Sequence, residues 1–218
     1  MLKGIRYIVF DLNGTIVVED YLRYDNILED ILNCKPKLRK ITAEDLREIA
    51  EGKSTWCKKI EELYDVKDPK SISSQLIKIQ ASRITLRKNA IEVLEELHKN
   101  YKLVLCSDTT GIATEVVKNL NISKYFDEVF FSHEVGFLKS EKDFWLNFLS
   151  SFPQIKPTEF LVVGDNPSAD IYYPKSLNMH TIQIKNPNRL PQEYRKNSIG
   201  IGIPEHHIQE LKEILLFL

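Results

Sequence analysis

Tyr7-Ile8-Val9-Phe10-Asp11-Leu12-Asn13-Gly14-Thr15 is the stretch on which the fold turns. Four consecutive apolar residues predict a strand covered on both faces, because a half-exposed strand would alternate apolar with polar side chains. The run then stops on an aspartate. Ligands of open parallel sheets bind beyond the carboxyl ends of the strands, so Asp11 stands where chemistry is expected. Working outward, residues 103–106, 129–131 and 160–163 are apolar runs of the same kind, and 180–184 alternates like a half-exposed edge strand.

Helical spacing fills the gaps. Ala90, Val93, Leu94 and Leu97 follow i, i+3, i+4, i+7, as do Ala113, Val116, Val117 and Leu120; Phe144, Trp145, Phe148 and Leu149 repeat the pattern. Ile208, Leu211, Leu215 and Leu218 predict a last amphipathic helix. Strand and helix alternate from about residue 84 onward, which predicts an α/β fold: a Rossmann-like parallel sheet with helices on both faces. Residues 17–82 break that alternation. They show no convincing strand, and Tyr24, Ile27, Leu28 and Ile31 have helical spacing. Thr42-Ala43-Glu44-Asp45 reads as a variant capping box and Asp68-Pro69 as a helix start. The expected organisation is a core of 1–16 and 83–218 with a small all-helical cap, 17–82, over one edge of the sheet.

Composition bounds the function. Of 218 residues, 30 are basic and 31 acidic, a formal charge of −1, which does not suit a general nucleic-acid binder. Hydrophobic residues at 43% against 28% charged describe an ordered globular chain. Cys34, Cys57 and Cys106 are odd in number and lack C-x-x-C spacing, so neither a disulfide framework nor a zinc site is expected, and a reducing cytoplasm fits best. The apolar run before Asp11 is too short for an export signal or a membrane span. Neither nucleic acid nor membrane is an expected partner.

Strand ends carry the candidate chemistry. The first ends in Asp11-Leu12-Asn13-Gly14-Thr15, the second in Ser107-Asp108-Thr109-Thr110-Gly111, and the fourth in Gly164-Asp165-Asn166-Pro167-Ser168-Ala169-Asp170; Lys139 follows the third, just before a helix. Carboxylates, a hydroxyl and an ammonium converging on one sheet edge would hold Mg²⁺ and a phosphoryl group, since a hard cation takes oxygen ligands and both cation and lysine offset phosphate charge.

In this order the four motifs resemble the haloacid dehalogenase-like hydrolase superfamily: D-x-D-G-T after the first strand, except at Asn13; a strand ending in Ser107; Lys139 before a helix; and G-D-x-x-x-x-D in Gly164, Asp165 and Asp170. The resemblance spans essentially the whole chain, and the helical insert falls where that family places a cap. It implies Asp11 as the nucleophile that becomes a transient aspartyl phosphate. It implies Mg²⁺ held by Asp11, the main-chain carbonyl of Asn13, Asp165 and, directly or through water, Asp170. Ser107, Asp108 and Lys139 form the expected phosphate-binding set, with Lys139 also keeping Asp11 ionised. The partner that the resemblance implies is a small phosphorylated metabolite.

Asn13 is the departure. Family phosphatases carry there an aspartate that protonates the leaving oxygen and later deprotonates the attacking water, and Asn13 can do neither. Three accounts stay open: substrates with good leaving groups or a proton from elsewhere, a slow relative, or an engineered substitution. A phosphotransferase or mutase and a weakly active phosphate-binding protein are the rival functions. The 2-haloacid dehalogenase branch also lacks that aspartate, but its fourth motif is uncharged where this chain keeps Asp165 and Asp170. His133 and Glu134 are the outside candidates for a substitute proton donor. The run 35–40 is expected to be a solvated turn, Trp56 and Tyr64 core, Cys106 packing and His206-His207 surface.

Overall fold

The computed structural model describes residues 2–19, 23–186 and 200–218. The expected ranges 17–82 and 83–218 include 20–22 and 187–199, which lie outside the described residues. Strands β1 (Tyr7–Phe10), β4 (Lys102–Ser107), β5 (Glu128–Phe131), β6 (Phe160–Gly164), β7 (His180–Ile184) and β8 (His206–Ile208) form one parallel sheet in the order β5-β4-β1-β6-β7-β8. Two further strands, β2 (Val17–Glu19) and β3 (Ile84–Leu86), pair antiparallel as a ribbon. The helices are α1 (Tyr24–Leu32), α2 (Ala43–Ala50), α3 (Trp56–Leu63), α4 (Pro69–Ser82), α5 (Ala90–His98), α6 (Ile112–Asn119), α7 (Ser132–Val135), α8 (Lys142–Ser150) and α9 (Tyr172–Ser176).

Alternate residues of the central strands enter two separate cores. Ile8, Phe10, Leu103, Leu105, Leu161 and Val163 join Val93, Leu94, Leu97, Val116 and Val117 of α5 and α6 on one face. Val9, Val104, Cys106, Phe160 and Val162 meet Phe144, Trp145 and Phe148 of α8 and Tyr173 of α9 on the other. Continuous hydrophobicity along β1, β4 and β6 therefore reflects two covered faces. Phe148 also touches the rings of Phe130, Trp145, Phe152 and Phe160 at centroid distances of 5.1–5.7 Å, contacts worth about 0.5–1.5 kcal/mol each beyond buried area.

Helices α1–α4 enclose a third core of Ile27, Leu28, Ile49, Trp56, Ile60, Leu63, Tyr64 and Leu76. The Thr42 capping box forms with Asp45, and Asp68 accepts from the Ser71 N–H with Pro69 in the first turn. Within residues 35–40, Arg39 pairs with Asp45, Lys40 with Glu29 and Lys37 with Asp65. This four-helix segment meets the sheet domain where α4 packs on α6, where Gly52 backs onto the His133 carbonyl, and where Arg47 faces Glu141 at 3.7 Å.

Four expectations need correction. Residues 17–82 contain a strand, β2; at three residues it is too short to show a period. Strand β7 is interior, because β8 covers it, and its polar residues have interior partners or burial: Gln183 donates to the Asp165 carbonyl and Thr181 is fully buried. The edges are β5 and β8, and in β5 Val129 is 39% exposed despite its apolar run. No amphipathic α-helix closes the described chain: Ile208 ends β8, and Leu211–Leu216 is a 3₁₀ helix that buries Leu211 and Ile214, three residues apart, as that helix requires. His206 accordingly lies in a strand, stacked on Phe217.

Candidate active site

Register places the site. Phe10 is paired with Leu105 on one side and Val163 on the other, so Asp11 leaves the sheet between the ends of β4 and β6. Its N–H still donates to Val163 at 2.9 Å, and the chain then turns at once, with Ile16 and Val17 donating back to the Leu12 carbonyl at 2.9 and 3.0 Å. Gly14 makes the turn possible. Its φ of +81° is left-handed, and any Cβ would run into the Asn186 amide and the Asp165 carboxylate. Gly14→Ala is expected to destabilise the protein by about 1–3 kcal/mol, counting left-handed strain and the displaced carboxylate. Urea unfolding measures it; parent stability would show that the turn and Asp165 are not so tightly joined.

Lys139 is the hub. Its ammonium, 2% exposed, pairs with Asp11, with Asp170 at 2.7 Å and with the Cys106 carbonyl at 3.2 Å. Its backbone is held on both sides: the N–H donates to Asp108 Oδ1 and the carbonyl accepts from Trp145 Nε1, each at 2.8 Å. Burial opposes the lysine's charge, yet Asp11 and Asp170 outweigh it and hold the ammonium above its ordinary pKa. Asp11 is pushed well above the carboxylate range by burial, which Lys139 opposes and which Asp170 and Asp165 reinforce.

The third group of ligand-capable atoms comes from the end of β6. Asp165 Oδ2 accepts from Asn186 Nδ2 at 2.8 Å. Asp170, on a π-helical turn (Pro167–Ile171), uses its other oxygen to accept the Asn166 N–H at 2.8 Å. A Cβ on Gly164 would collide with the Asp170 carboxylate, so glycine is needed for that close approach. Asp11, Asp165 and Asp170 offer carboxylate oxygens all within 4.8 Å of one another. These three carboxylates offer hard oxygen donors gathered at one point, which fits a divalent cation of the Mg²⁺ type. Two polar atoms here are buried without a hydrogen-bond partner: Ser107 Oγ and Asn13 Oδ1. A ligand with both acceptor and donor groups would satisfy them.

All the site residues named from the sequence thus meet at one sheet edge. Asp108 differs in manner: one of its carboxylate oxygens braces the Lys139 loop. His133 lies beside the loop after β4, its Nε2 3.8 Å from where a Cβ on Gly111 would stand; its ring stacks on Phe131, burial lowers its pKa, and its one ion-pair partner among the described residues is Glu134 at 3.8 Å. Sequence reasoning places Thr15 in the first motif without a role and passes over Asn186 and Arg87. Thr15 donates to Asp11 Oδ2 at 3.1 Å, Asn186 braces Asp165, and Arg87 donates to the Gly14 carbonyl. Asn186 follows β7, so the strand-end rule had it within reach; Arg87 carries no such signal.

The family model for haloacid dehalogenase-like hydrolases matches residues 5–174, a span that includes every one of the motif residues above. The chain is a haloacid dehalogenase-like hydrolase. By sequence, this hydrolase is 25% identical over 128 residues to YfnB of Bacillus subtilis strain 168, named as a HAD-hydrolase; that match covers 57% of this chain and 51% of YfnB. By structure, it resembles the magnesium-bound form of YfnB with a TM-score of 0.65 at 19% identity over 99% of both chains. A 2-haloacid dehalogenase from Pseudomonas syringae pv. Tomato DC3000 aligns with TM-score 0.66 at 17% identity, covering 98% of this hydrolase and 97% of that chain. A HAD phosphatase from Thermococcus onnurineus aligns with TM-score 0.65 at 21% identity over 96% of each. At these identities the structural likenesses speak for the haloacid dehalogenase-like fold alone.

Proposed function

We propose that this hydrolase is a Mg²⁺-dependent phosphohydrolase that cleaves a phosphate ester or acyl phosphate of a small metabolite. The observation that carries the reading is the buried Asp11–Asp165–Asp170 cluster, with Lys139 joining Asp11 to Asp170. Mg²⁺ would be held by Asp11, the Asn13 carbonyl and Asp165, with Asp170, whose two oxygens already serve Lys139 and Asn166, completing the site directly or through water. When bound, the cation supplies positive charge against the phosphoryl oxygens.

Asp11 attacks the phosphorus with the carboxylate oxygen facing the cleft, and the bond to the leaving oxygen breaks as the aspartyl phosphate forms. Lys139, the Ser107 hydroxyl and the N–H of Asp108 hold the equatorial oxygens, where charge grows in the transition state. Water then attacks the phosphoryl group and frees Asp11. Asn13 can hydrogen-bond the leaving oxygen through its amide but has no proton to give, so substrates whose leaving group departs as an anion suit this site. The four-helix segment acts as the cap, shedding water from the strand ends and restricting entry to small molecules. The three cysteines, all unpaired, fit a cytoplasmic setting, and no helix among the described residues is long and apolar enough to cross a membrane.

Excess EDTA is expected to cut hydrolysis of 4-nitrophenyl phosphate by about 10²-fold or more, with full recovery on adding Mg²⁺. Undiminished turnover in EDTA, together with halide release from a 2-haloacid, would replace this reading with the carbon–halogen one.

A further inference from the structure

Arg87 lies just past β3, and its N–H donates to the Ile16 carbonyl at 2.8 Å. From there the guanidinium spans two loops. One nitrogen donates to the Gly14 carbonyl at 2.6 Å and another to the Lys185 carbonyl at 3.2 Å. Each of those residues adjoins a part of the carboxylate site: Gly14 follows Asn13 and has no room for a Cβ against Asp165, while Lys185 precedes Asn186, the amide donor to Asp165. The contacts close a ring that runs from Arg87 through Gly14, Asp165, Asn186 and Lys185 and back to Arg87. Within it, the turn after β1 and the loop after β7 are fixed relative to one carboxylate.

The side chain is half buried, and its Nε–H is buried without an acceptor. Such a guanidinium is a costly way to fill space, because an unmade hydrogen bond carries the full desolvation penalty. What an apolar side chain of equal length would lose is the two-carbonyl clamp. A lysine, with one compact charge in place of a planar fork, reaches one carbonyl but does not bridge both.

We infer that Arg87 is a positioning residue for the divalent-cation site, holding the Asn13–Gly14 turn and Asp165 at the separation that cation binding needs. The inference rests on the metal-dependent reading above. Its test is Mg²⁺ binding to the full chain without substrate, by titration calorimetry well below each variant's unfolding midpoint. Arg87→Met is expected to raise the Mg²⁺ dissociation constant about 10–100-fold, the usual effect of removing a residue that orients metal ligands. Arg87→Lys, keeping one of the two carbonyl contacts, should raise it several-fold; Asp165→Asn should abolish binding. A parent-like dissociation constant in Arg87→Met, with binding lost in Asp165→Asn, overturns the role of Arg87 alone, even if Arg87→Met melts at lower temperature. Unchanged binding in Asp165→Asn overturns the metal site itself. Should Arg87→Met fail to fold, parent-like binding by Arg87→Lys overturns the inference.

Discussion

Asn13→Asp is expected to accelerate hydrolysis of alkyl and sugar phosphates by about 10²-fold or more, the lower end of what general acid–base help contributes. That gain corresponds to about 2.7 kcal/mol of barrier at 1.36 kcal/mol per factor of ten. The substitution is nearly isosteric, and Asn13 Oδ1 has no hydrogen-bond partner to lose. Nitrophenyl and acyl phosphates should gain less in the first step, because their leaving groups depart without protonation; their benefit is confined to breakdown of the aspartyl phosphate. The parent should therefore show a steep dependence of phosphoryl transfer on leaving-group pKa, and the variant a shallow one. Single-turnover rates across a series of leaving groups measure both slopes. Equal slopes, with no rise for alkyl phosphates, would mean that another group already supplies the proton. A parent that transfers phosphoryl to alcohols faster than to water would point to a phosphotransferase, and undetectable turnover on every phosphate to a binding protein.

Replacing Asp11 has the largest effect in the opposite direction. Asp11→Asn should lower phosphatase activity by about 10⁴-fold or more, since no covalent intermediate can form without the carboxylate and the remaining binding groups give only residual catalysis. The fold should survive. Burial works against the Asp11 charge, and Lys139 keeps its 2.7 Å pair with Asp170. Circular dichroism with initial rates on 4-nitrophenyl phosphate makes the comparison, and a variant retaining a tenth of parental activity would remove Asp11 from the nucleophile's role.

Legibility of the fold followed from how many residues carry each signal. Strands β1, β4 and β6 were visible because the apolar residues along them are covered on one face or the other by α5, α6, α8 or α9. Strands β2 and β8, at three residues each, are too short to show a period and depend on partners distant in sequence. The end of the chain misled because Ile208 and Leu211 share a spacing that fits an α-helix, while the first lies in a strand and the second in a 3₁₀ turn. Asp11, Lys139, Asp165 and Asp170 were legible because each follows an apolar run or precedes a helix. Arg87 was not, since its meaning lies in a contact to Lys185 made across 98 positions. The brace that the Asp108 carboxylate gives to the Lys139 N–H leaves no trace in residue type, because one of the two partners is backbone.

The chain has two tryptophans, and the fold divides them between its two bodies. Trp56 is buried in the core of the four-helix segment against Tyr24, with its indole N–H unpartnered; Trp145 is buried beneath the sheet and bonded to the carbonyl of Lys139. The protein thereby contains an intrinsic optical label in each half, one of them attached through a single hydrogen bond to the residue on which the carboxylates converge. With either indole exchanged for phenylalanine, the emission of the other becomes a separate record of that half. Melting of the helical segment can then be followed apart from loosening of the platform that carries the site, without any attached dye.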